Sequence, residues 1–183
     1  SSIEAANKFL QISQVKNNNK ISFKTGSALN LSEYYKNFNT VITIRCLINV
    51  GDFDKQVEAL KQIHKSLDFN GTYLMCENVI SGLNLTNEYR AKIGLSEIKT
   101  RWHNNYLDED KFFPEIKKLF NIIQIDHFCS TYFFISRIVN AWLANQKGEQ
   151  PKYDDPINEM ATKLPNMGEF APMRLFVLEK KNV

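Results

Sequence analysis

The stretch VITIRCLINVGDFDKQVEAL, residues 41 to 60, decides the fold because its hydrophobic pattern changes halfway along. Residues 41 to 50 are almost continuously apolar, which is typical of a strand covered on both faces in a parallel sheet. From Asp52 onward the apolar residues recur at helical spacing, and Asp52 itself is a suitable helix N-cap. The stretch therefore predicts a strand, a short turn and an amphipathic helix. In open α/β sheets, ligands bind beyond the carboxyl end of such a strand.

Helix and strand patterns continue on both sides of this unit. SIEAANKFLQISQ (residues 2–14) has one apolar helical stripe, and ISFKTGSALNL (residues 21–31) predicts a short strand that stops at Gly26. DFNGTYLMCENV (residues 68–79) predicts a turn at Asn70-Gly71 followed by another strand. The order helix, strand, strand, helix, strand indicates a layered α/β sheet with crossover helices.

The second half of the chain predicts helices and a closing pair of strands. LDEDKFFPEIKKLF (107–120) predicts a helix whose first turn lies near Phe113, because Pro114 is best tolerated at a helix start. NIIQIDHFCSTYFF (121–134) alternates like a strand, and FFISRIVNAWLANQ (133–146) is typical of a helix. MRLFVLEKK (173–181) predicts a final strand, antiparallel at the sheet edge.

We expect one domain over residues 1–183, with a lid insertion at about 81–107 and a second insertion at about 132–170. The net charge of +3 comes without any Lys/Arg run longer than two, so no nucleic-acid partner is expected. No stretch is apolar for long enough to cross a bilayer. Three widely spaced cysteines without metal-ligand spacing predict free thiols in a reducing cytoplasm and no metal site.

Three motifs in a fixed order carry a family resemblance: F-x-x-G-S-A-x-x-L (23–31), Y-x-x-F-N-T-V-I-T-I-R-C-L-I-N-V (35–50) and L-x-F-N-G-T-Y-L-M-C-E (67–77). Together they resemble the second half of a class I S-adenosylmethionine-dependent methyltransferase. The resemblance implies a Rossmann-like, mostly parallel sheet with an antiparallel last strand. It also implies methyl transfer from S-adenosylmethionine to a small-molecule acceptor, with S-adenosylhomocysteine as product.

The sequence departs from this family in features that touch the cofactor. The glycine-rich loop after the family's first strand is absent, and so is the acidic residue that ends its second strand. Ser27 stands where an aspartate is usual. The family's strand order, 3-2-1-4-5-7-6, would leave the predicted strand at residues 21–31 without a neighbour, and an open central edge is costly. We therefore expect this chain to be a fragment that lacks the first two strands.

The resemblance and the strand ends together nominate site residues. Those expected to contact the cofactor are Gly26, Ser27, Ala28, Arg45, Cys46, Leu47 and Val50. Those expected to contact the acceptor are Glu77, Trp102, Tyr106, Tyr132 and Arg137, and His103 is the candidate base.

Each assignment has a plainer alternative. Arg45 would pair with Glu77 or Asp52, and His103 would cap the helix that starts near Asp108. Leu47 and Val50 would equally well pack in the core, and the aromatic residues around Tyr132 would also belong to it. For the whole protein the alternative is a non-catalytic methyltransferase-like binding module. The absent glycine-rich loop favours that alternative, whereas the lid with its histidine and the aromatic pocket favour an enzyme.

Overall fold

The computed structural model describes residues 2–12, 21–31 and 36–182. Within these ranges, four strands form one sheet: β1 (Phe38–Ile44), β2 (Leu67–Asn78), β3 (Phe120–Asp126) and β4 (Met173–Lys180). The described residues also form seven α-helices: α1 (Ser2–Ile12), α2 (Phe53–Ser66), α3 (Ile80–Lys92), α4 (Glu109–Leu119), α5 (Ser130–Phe134), α6 (Asn140–Gln146) and α7 (Pro156–Ala161).

The spatial order of the sheet is β1-β2-β4-β3. Strands β1 and β2 run parallel, and β4 pairs antiparallel with both β2 and β3. This mixed sheet confirms the expected α/β class with its antiparallel last strand. The predicted position of the last strand is wrong, however, because β4 lies inside the sheet and β3 forms the edge.

The predicted change from strand to helix around residue 50 is confirmed. Strand β1 ends at Ile44, a short 3₁₀ turn covers Leu47–Asn49, and α2 begins at Phe53. The Asp52 side chain accepts a hydrogen bond from the Lys55 backbone nitrogen at 3.1 Å, so Asp52 is the N-cap. Because β1 and β2 run parallel, this turn lies at the same edge of the sheet as the carboxyl end of β2.

The main core lies on one face of the sheet, beneath α2 and α4. Tyr73 and Met75 of β2 point into it together with Phe176 and Leu178 of β4, and all four are fully buried. The helices add a second set of buried residues, Leu60, Ile63, Phe112 and Ile116. Full burial of such side chains stabilises the fold by about 1.5–3 kcal/mol each.

The strand predicted at residues 21–31 is not formed. Residues 21–27 have no regular secondary structure, and within the described ranges β1 has no strand partner on the side away from β2. A segment without a partner has no hydrogen-bond ladder to hold it extended, which is the physical reason for the error. The predicted coverage of β1 on both faces is also wrong among the described residues, where Ile42 and Ile44 are 61% and 68% exposed.

Helix α1 is confirmed over Ser2–Ile12, but none of its residues is fully buried. Phe9 and Ile12 are 70% and 71% exposed. The last two residues of the predicted helix, 13 and 14, lie outside the described residues.

Two local predictions in the first half of the sheet and in α4 need correction. The Asn70-Gly71 turn lies inside β2 as a bulge, where Asn70 has φ 55° and the pairing shifts between Phe38 and Thr40. Helix α4 begins at Glu109, so Pro114 sits in its interior. The carbonyl that Pro114 leaves without a helical donor belongs to the exposed Asp110, where water is available.

The strand predicted over residues 121–134 ends early, at Asp126. A turn follows, in which the Ser130 nitrogen donates to the His127 carbonyl at 2.9 Å, and the chain is then helical from residue 130 to 146. The Ser130 and Thr131 hydroxyls donate to the carbonyls of Met167 and Pro165 at 2.8 and 2.7 Å. These long-range bonds fix the helix start, and a local alternation pattern does not reveal them.

Candidate functional site

The carboxyl end of β1 is held by a buried carboxylate from β2. Glu77 is 0% exposed. Its Oε1 accepts hydrogen bonds from the backbone nitrogens of Cys46 and Leu47 at 2.8 and 3.1 Å, and from the Thr43 hydroxyl at 3.1 Å. Its Oε2 accepts from the Ile48 nitrogen at 3.4 Å. The expectation that Glu77 orients a substrate is therefore corrected, because its oxygens are engaged in holding the turn.

This buried network shifts the acidity of its members. Burial raises the pKa of Glu77 above its ordinary value, although the backbone and Thr43 hydrogen bonds act in the opposite direction. Burial, followed by the charge of Glu77, raises the pKa of the Cys46 and Cys76 thiols. The Tyr73 hydroxyl lies 2.8 Å from the Thr43 hydroxyl, and burial raises the pKa of Tyr73 well above its usual range. The thiols and the phenol are thus kept in their neutral forms.

A first cavity of about 560 Å³ lies beside the open edge of β1. Its walls come from the segment 22–31, from residues 38–43 of β1, from Cys46 and from Ile63 of α2. Four of the residues predicted to contact a cofactor lie on these walls: Gly26, Ser27, Ala28 and Cys46. A Cβ at Gly26 would meet nothing within 4 Å, so the backbone there faces open space.

A second cavity of about 550 Å³ lies on the other side of the same strand end. The end of β2, the segment 98–106 and the helical segment around residues 132–137 form most of its wall. Four predicted residues line it: Arg45, Tyr106, Tyr132 and Arg137. Arg45, predicted at the cofactor, thus lies with the predicted acceptor residues.

Two consecutive residues of the chain line different cavities. Arg45 lines the second cavity and Cys46 lines the first. Arg45 has φ 52°, and its nitrogen donates to the Cys76 carbonyl at 2.8 Å, so the backbone reverses here while still attached to β2. The turn held by Glu77 is therefore the partition between two sites of small-molecule size.

Several predicted residues lie in neither cavity. Leu47 is 0% exposed in the hydrophobic core, which corrects its expected place on a cofactor wall. Val50 is half-buried beside the 3₁₀ turn. Trp102 is 93% exposed and packs edge-on against the His103 ring at 5.2 Å. The structure does not bring His103 or Trp102 to the strand ends.

Two of the alternative interpretations are also wrong. Arg45 is not paired with Glu77, whose oxygens face backbone N–H groups, nor with Asp52, whose carboxylate lies 3.7 Å from the Lys55 ammonium. His103 does not cap α4, because Asp108 is the N-cap residue. Of the aromatic group around residue 132, Tyr132 and Phe133 line the second cavity.

Sequence reasoning missed two asparagines in the second cavity. Asn78 at the end of β2 and Asn104 in the segment 98–106 are 5% and 7% exposed, and both line the wall. Within the described part of the chain, the Oδ1 atoms of both lack a hydrogen-bond donor. The missed signal for Asn78 was its position directly after the apolar run of β2, at a strand end.

The described residues contain no group of three or more His, Cys, Asp or Glu side chains that could hold a metal ion. None of the described helices has the length and apolar character needed to cross a bilayer.

No protein-family model matches this chain, and no curated protein sequence matches it significantly. Solved structures do match. The CcbJ methyltransferase from Streptomyces caelestis superposes with a TM-score of 0.59 at 8% identity, over 97% of this chain and 70% of CcbJ. PKMT2 from Rickettsia typhi, solved in complex with AdoHcy, superposes with a TM-score of 0.56 at 15% identity, over 99% of this chain and 42% of PKMT2.

A third structure, the [4+2]-cyclase SpnF, gives a TM-score of 0.53 at 14% identity, over 96% of this chain and 60% of SpnF. The chain thus spans between 42% and 70% of the length of these three proteins.

The mixed sheet and its strand-end cavities define a Rossmann-like α/β domain. More specifically, the fold is that of the class I S-adenosylmethionine-dependent methyltransferases. Because a protein named as a cyclase shares it, the fold by itself does not determine the reaction.

Proposed function

We propose that this chain belongs to an enzyme that binds S-adenosylmethionine in the first cavity and transfers its methyl group to a small molecule in the second. The observation that supports this most directly is that consecutive residues of one turn line the two cavities, Arg45 the second and Cys46 the first. Methyl transfer needs donor and acceptor aligned within a few ångströms, and two cavities lined by the same strand end would favour that alignment.

The residues of the first cavity fit the cofactor in size and in chemistry. Its volume of about 560 Å³ lies within the usual range for small-molecule sites. Leu31, Val41 and Ile42 offer apolar contacts for an adenine ring. The polar side chains on the same wall are those of Ser22, Lys24, Ser27, Thr40 and Thr43. None of the described lining residues is acidic, which matches the departure from the family's ribose-binding carboxylate.

When bound, S-adenosylmethionine supplies a methyl group whose bond to the sulfonium sulfur breaks with its electron pair left on sulfur, while an acceptor lone pair forms the new bond. The chain's own residues position the acceptor. Arg45 reaches the second cavity from the turn that Glu77 holds rigidly at its backbone nitrogens. No described residue lining this cavity is His, Asp or Glu. The predicted role of His103 as a base stays a prediction.

The test is calorimetric titration with S-adenosylhomocysteine. The matched variants are Ala28→Phe, which fills the first cavity, and Ala91→Phe, which adds the same ring at an exposed position of α3. We expect binding by the unsubstituted chain and by Ala91→Phe, and at least tenfold weaker binding by Ala28→Phe. Equal affinity of the two variants would contradict the cofactor placement.

The titration is repeated on the longer natural chain if the gene encodes residues before Ser1. Binding by neither chain would overturn the proposal. Transfer of tritium from methyl-labelled S-adenosylmethionine to a panel of small acceptors then separates the enzyme from the non-catalytic alternative. Binding without transfer to any acceptor would favour the alternative.

A further inference from the structure

We infer that the second cavity selects a small ring-bearing anion that also carries an N–H or O–H donor, such as an aromatic carboxylate with an amino or hydroxyl substituent. This inference rests on the proposed function and deepens it, because it gives the chemical class of the acceptor. Three features of the cavity wall support it: its charge, two buried amide oxygens and its aromatic side chains.

The charge of the wall is positive. Arg45, Lys99, Arg101 and Arg137 line the cavity, and none of its described lining residues is acidic. Lys99 has a distant partner in Glu97 at 4.0 Å, whereas the three arginines form no ion pair with any residue the structure describes. Guanidinium groups match the two oxygens of a carboxylate in geometry. A ligand carboxylate in the cavity would therefore meet guanidinium groups that no described acid occupies.

Arg137 is held in place by rings rather than by an acid. Its guanidinium carbon lies 4.7 Å from the centre of the Tyr153 ring and 5.9 Å from that of Phe133. Arg137 also sits within a π-helical turn, Ile135–Val139, of a kind that often occurs at functional sites.

Arg90, which does not line the cavity, adds to the positive charge near Arg137. Arg90 is mostly buried and donates a hydrogen bond to the Arg137 carbonyl. Burial lowers the pKa of Arg90, and the positive charge of Arg137 lowers it further. An anion bound at Arg137 would relieve this repulsion.

The two asparagines supply acceptors that have no donor. Asn78 and Asn104 line the wall, and the Oδ1 atom of each is buried without a hydrogen-bond partner among the described residues. An unpaired buried carbonyl oxygen costs about 1–3 kcal/mol relative to a paired one. A ligand N–H or O–H group would satisfy one of them, and a purely anionic ligand would not.

Four aromatic side chains complete the wall: Tyr106, Tyr132, Phe133 and Tyr153. Aromatic side chains favour stacked or edge-on contact with another ring. Ring, carboxylate and donor therefore each find a counterpart in one cavity of about 550 Å³.

The test uses three related probes on the unsubstituted chain without cofactor. Anthranilate has the ring, the carboxylate and an amine; benzoate lacks the amine, and aniline lacks the carboxylate. We expect calorimetry or ligand-observed NMR to show that anthranilate binds at least tenfold more tightly than aniline and at least threefold more tightly than benzoate. Equal affinity for anthranilate and aniline would overturn the inference.

Substitutions assign the two contacts separately. Arg137→Gln is expected to weaken the binding of anthranilate and benzoate at least fivefold and to leave the affinity for aniline unchanged. Asn104→Leu is expected to lower the affinity for anthranilate to that for benzoate and to leave the affinity for benzoate unchanged. The control is Lys118→Gln, which removes an exposed positive charge on α4 and should change no affinity.

If Arg137→Gln does not fold, Arg45→Gln replaces it, because Arg45 is exposed at its turn. Arginine variants that bind all three probes normally would overturn the inference. The outcome is separable from that of the proposed function. Failure of S-adenosylhomocysteine to bind, with the probe pattern intact, defeats only the cofactor assignment. Binding of S-adenosylhomocysteine without the expected probe pattern contradicts only the assigned acceptor class.

Discussion

Glu77 Oε1 lies 2.8 Å from the backbone nitrogen of Cys46, so a buried carboxylate of β2 ends the neighbouring strand β1. The same oxygen also accepts from Leu47, one residue further along the turn. The relationship fixes the partition between the two cavities from inside the protein. A ligand on either side therefore meets a wall that is already ordered.

We predict that Glu77→Ala lowers the free energy of unfolding by about 3 kcal/mol, because it leaves several buried N–H groups without an acceptor. Glu77→Gln should lower the free energy of unfolding by less, since its amide oxygen still accepts hydrogen bonds. Urea unfolding measures both. The control is Glu88→Gln, in an exposed pair with Lys92, for which about 0.5 kcal/mol or less is expected. A Glu77→Ala effect no larger than that of the control would contradict the structural role.

His64 is predicted to make stability fall in mildly acidic solution. Its Nε2 lies 2.9 Å from the Lys181 carbonyl oxygen, and burial lowers its pKa below the ordinary 6.5. Because the folded protein prefers the neutral ring, its contribution to stability is complete above pH 6.5 and is lost as the pH falls through the lowered folded pKa. Unfolding measured from pH 7.5 to 5 should show this decline.

The decline should be reduced in His64→Gln and retained in His103→Gln, whose side chain is exposed. An unchanged pH profile in His64→Gln would show that another group is responsible.

Gly82 of α3 is predicted to be indispensable for close packing. A Cβ at this position would lie 2.1 Å from the Ala171 carbonyl oxygen and 3.0 Å from the Pro172 Cα. Gly82→Ala should therefore lower the free energy of unfolding by about 1–3 kcal/mol. It should also weaken anthranilate binding, since Leu83 and Pro172 line the second cavity.

The control is Gly148→Asn, where φ is +70° and nothing lies within 4 Å of the new Cβ. We expect it to leave binding unchanged. Normal stability of Gly82→Ala in thermal unfolding would refute the close approach of α3 to the start of β4.

Cys129 is predicted to resist alkylation. Burial is the main cause that raises its pKa to about 11, and its Sγ lies 3.4 Å from the Met173 carbonyl oxygen as a donor. The thiolate is the reactive form, so at pH 8 the thiolate population should be about 100-fold smaller than for a thiol with pKa 9.0. Iodoacetamide labelling followed by peptide mass spectrometry measures the rate. Labelling as fast as that of a model peptide in native buffer would contradict this environment.

Where local chemistry suffices, the sequence predicted the structure correctly. The helical spacing after Asp52, the N-cap itself and the last strand all follow from residues that are close together in the chain. The prediction failed where a partner had to come from elsewhere. Residues 21–27 have a strand-like hydrophobic pattern but no strand to pair with among the described residues. Residues 130–134 are helical because the hydroxyls of Ser130 and Thr131 donate hydrogen bonds to the carbonyls of residues 167 and 165.

The candidate site divides in the same way. Gly26, Ser27 and Ala28 lie in a cavity as their motif suggested, whereas the places of Glu77 and Leu47 were not predictable from it. Each is 0% exposed, and burial depends on what packs above a strand end rather than on the strand's own residues.

By itself, the sequence determined that a strand turns into a capped helix at residue 52, since propensity, capping and hydrophobic period are local properties. Only the tertiary structure decided that Asn78 and Asn104 leave unpaired oxygens in one cavity with Arg45 and Arg137. The unpaired oxygens and the unpaired arginines share one cavity that several segments of the chain form. Such a space exists only after distant segments have packed together.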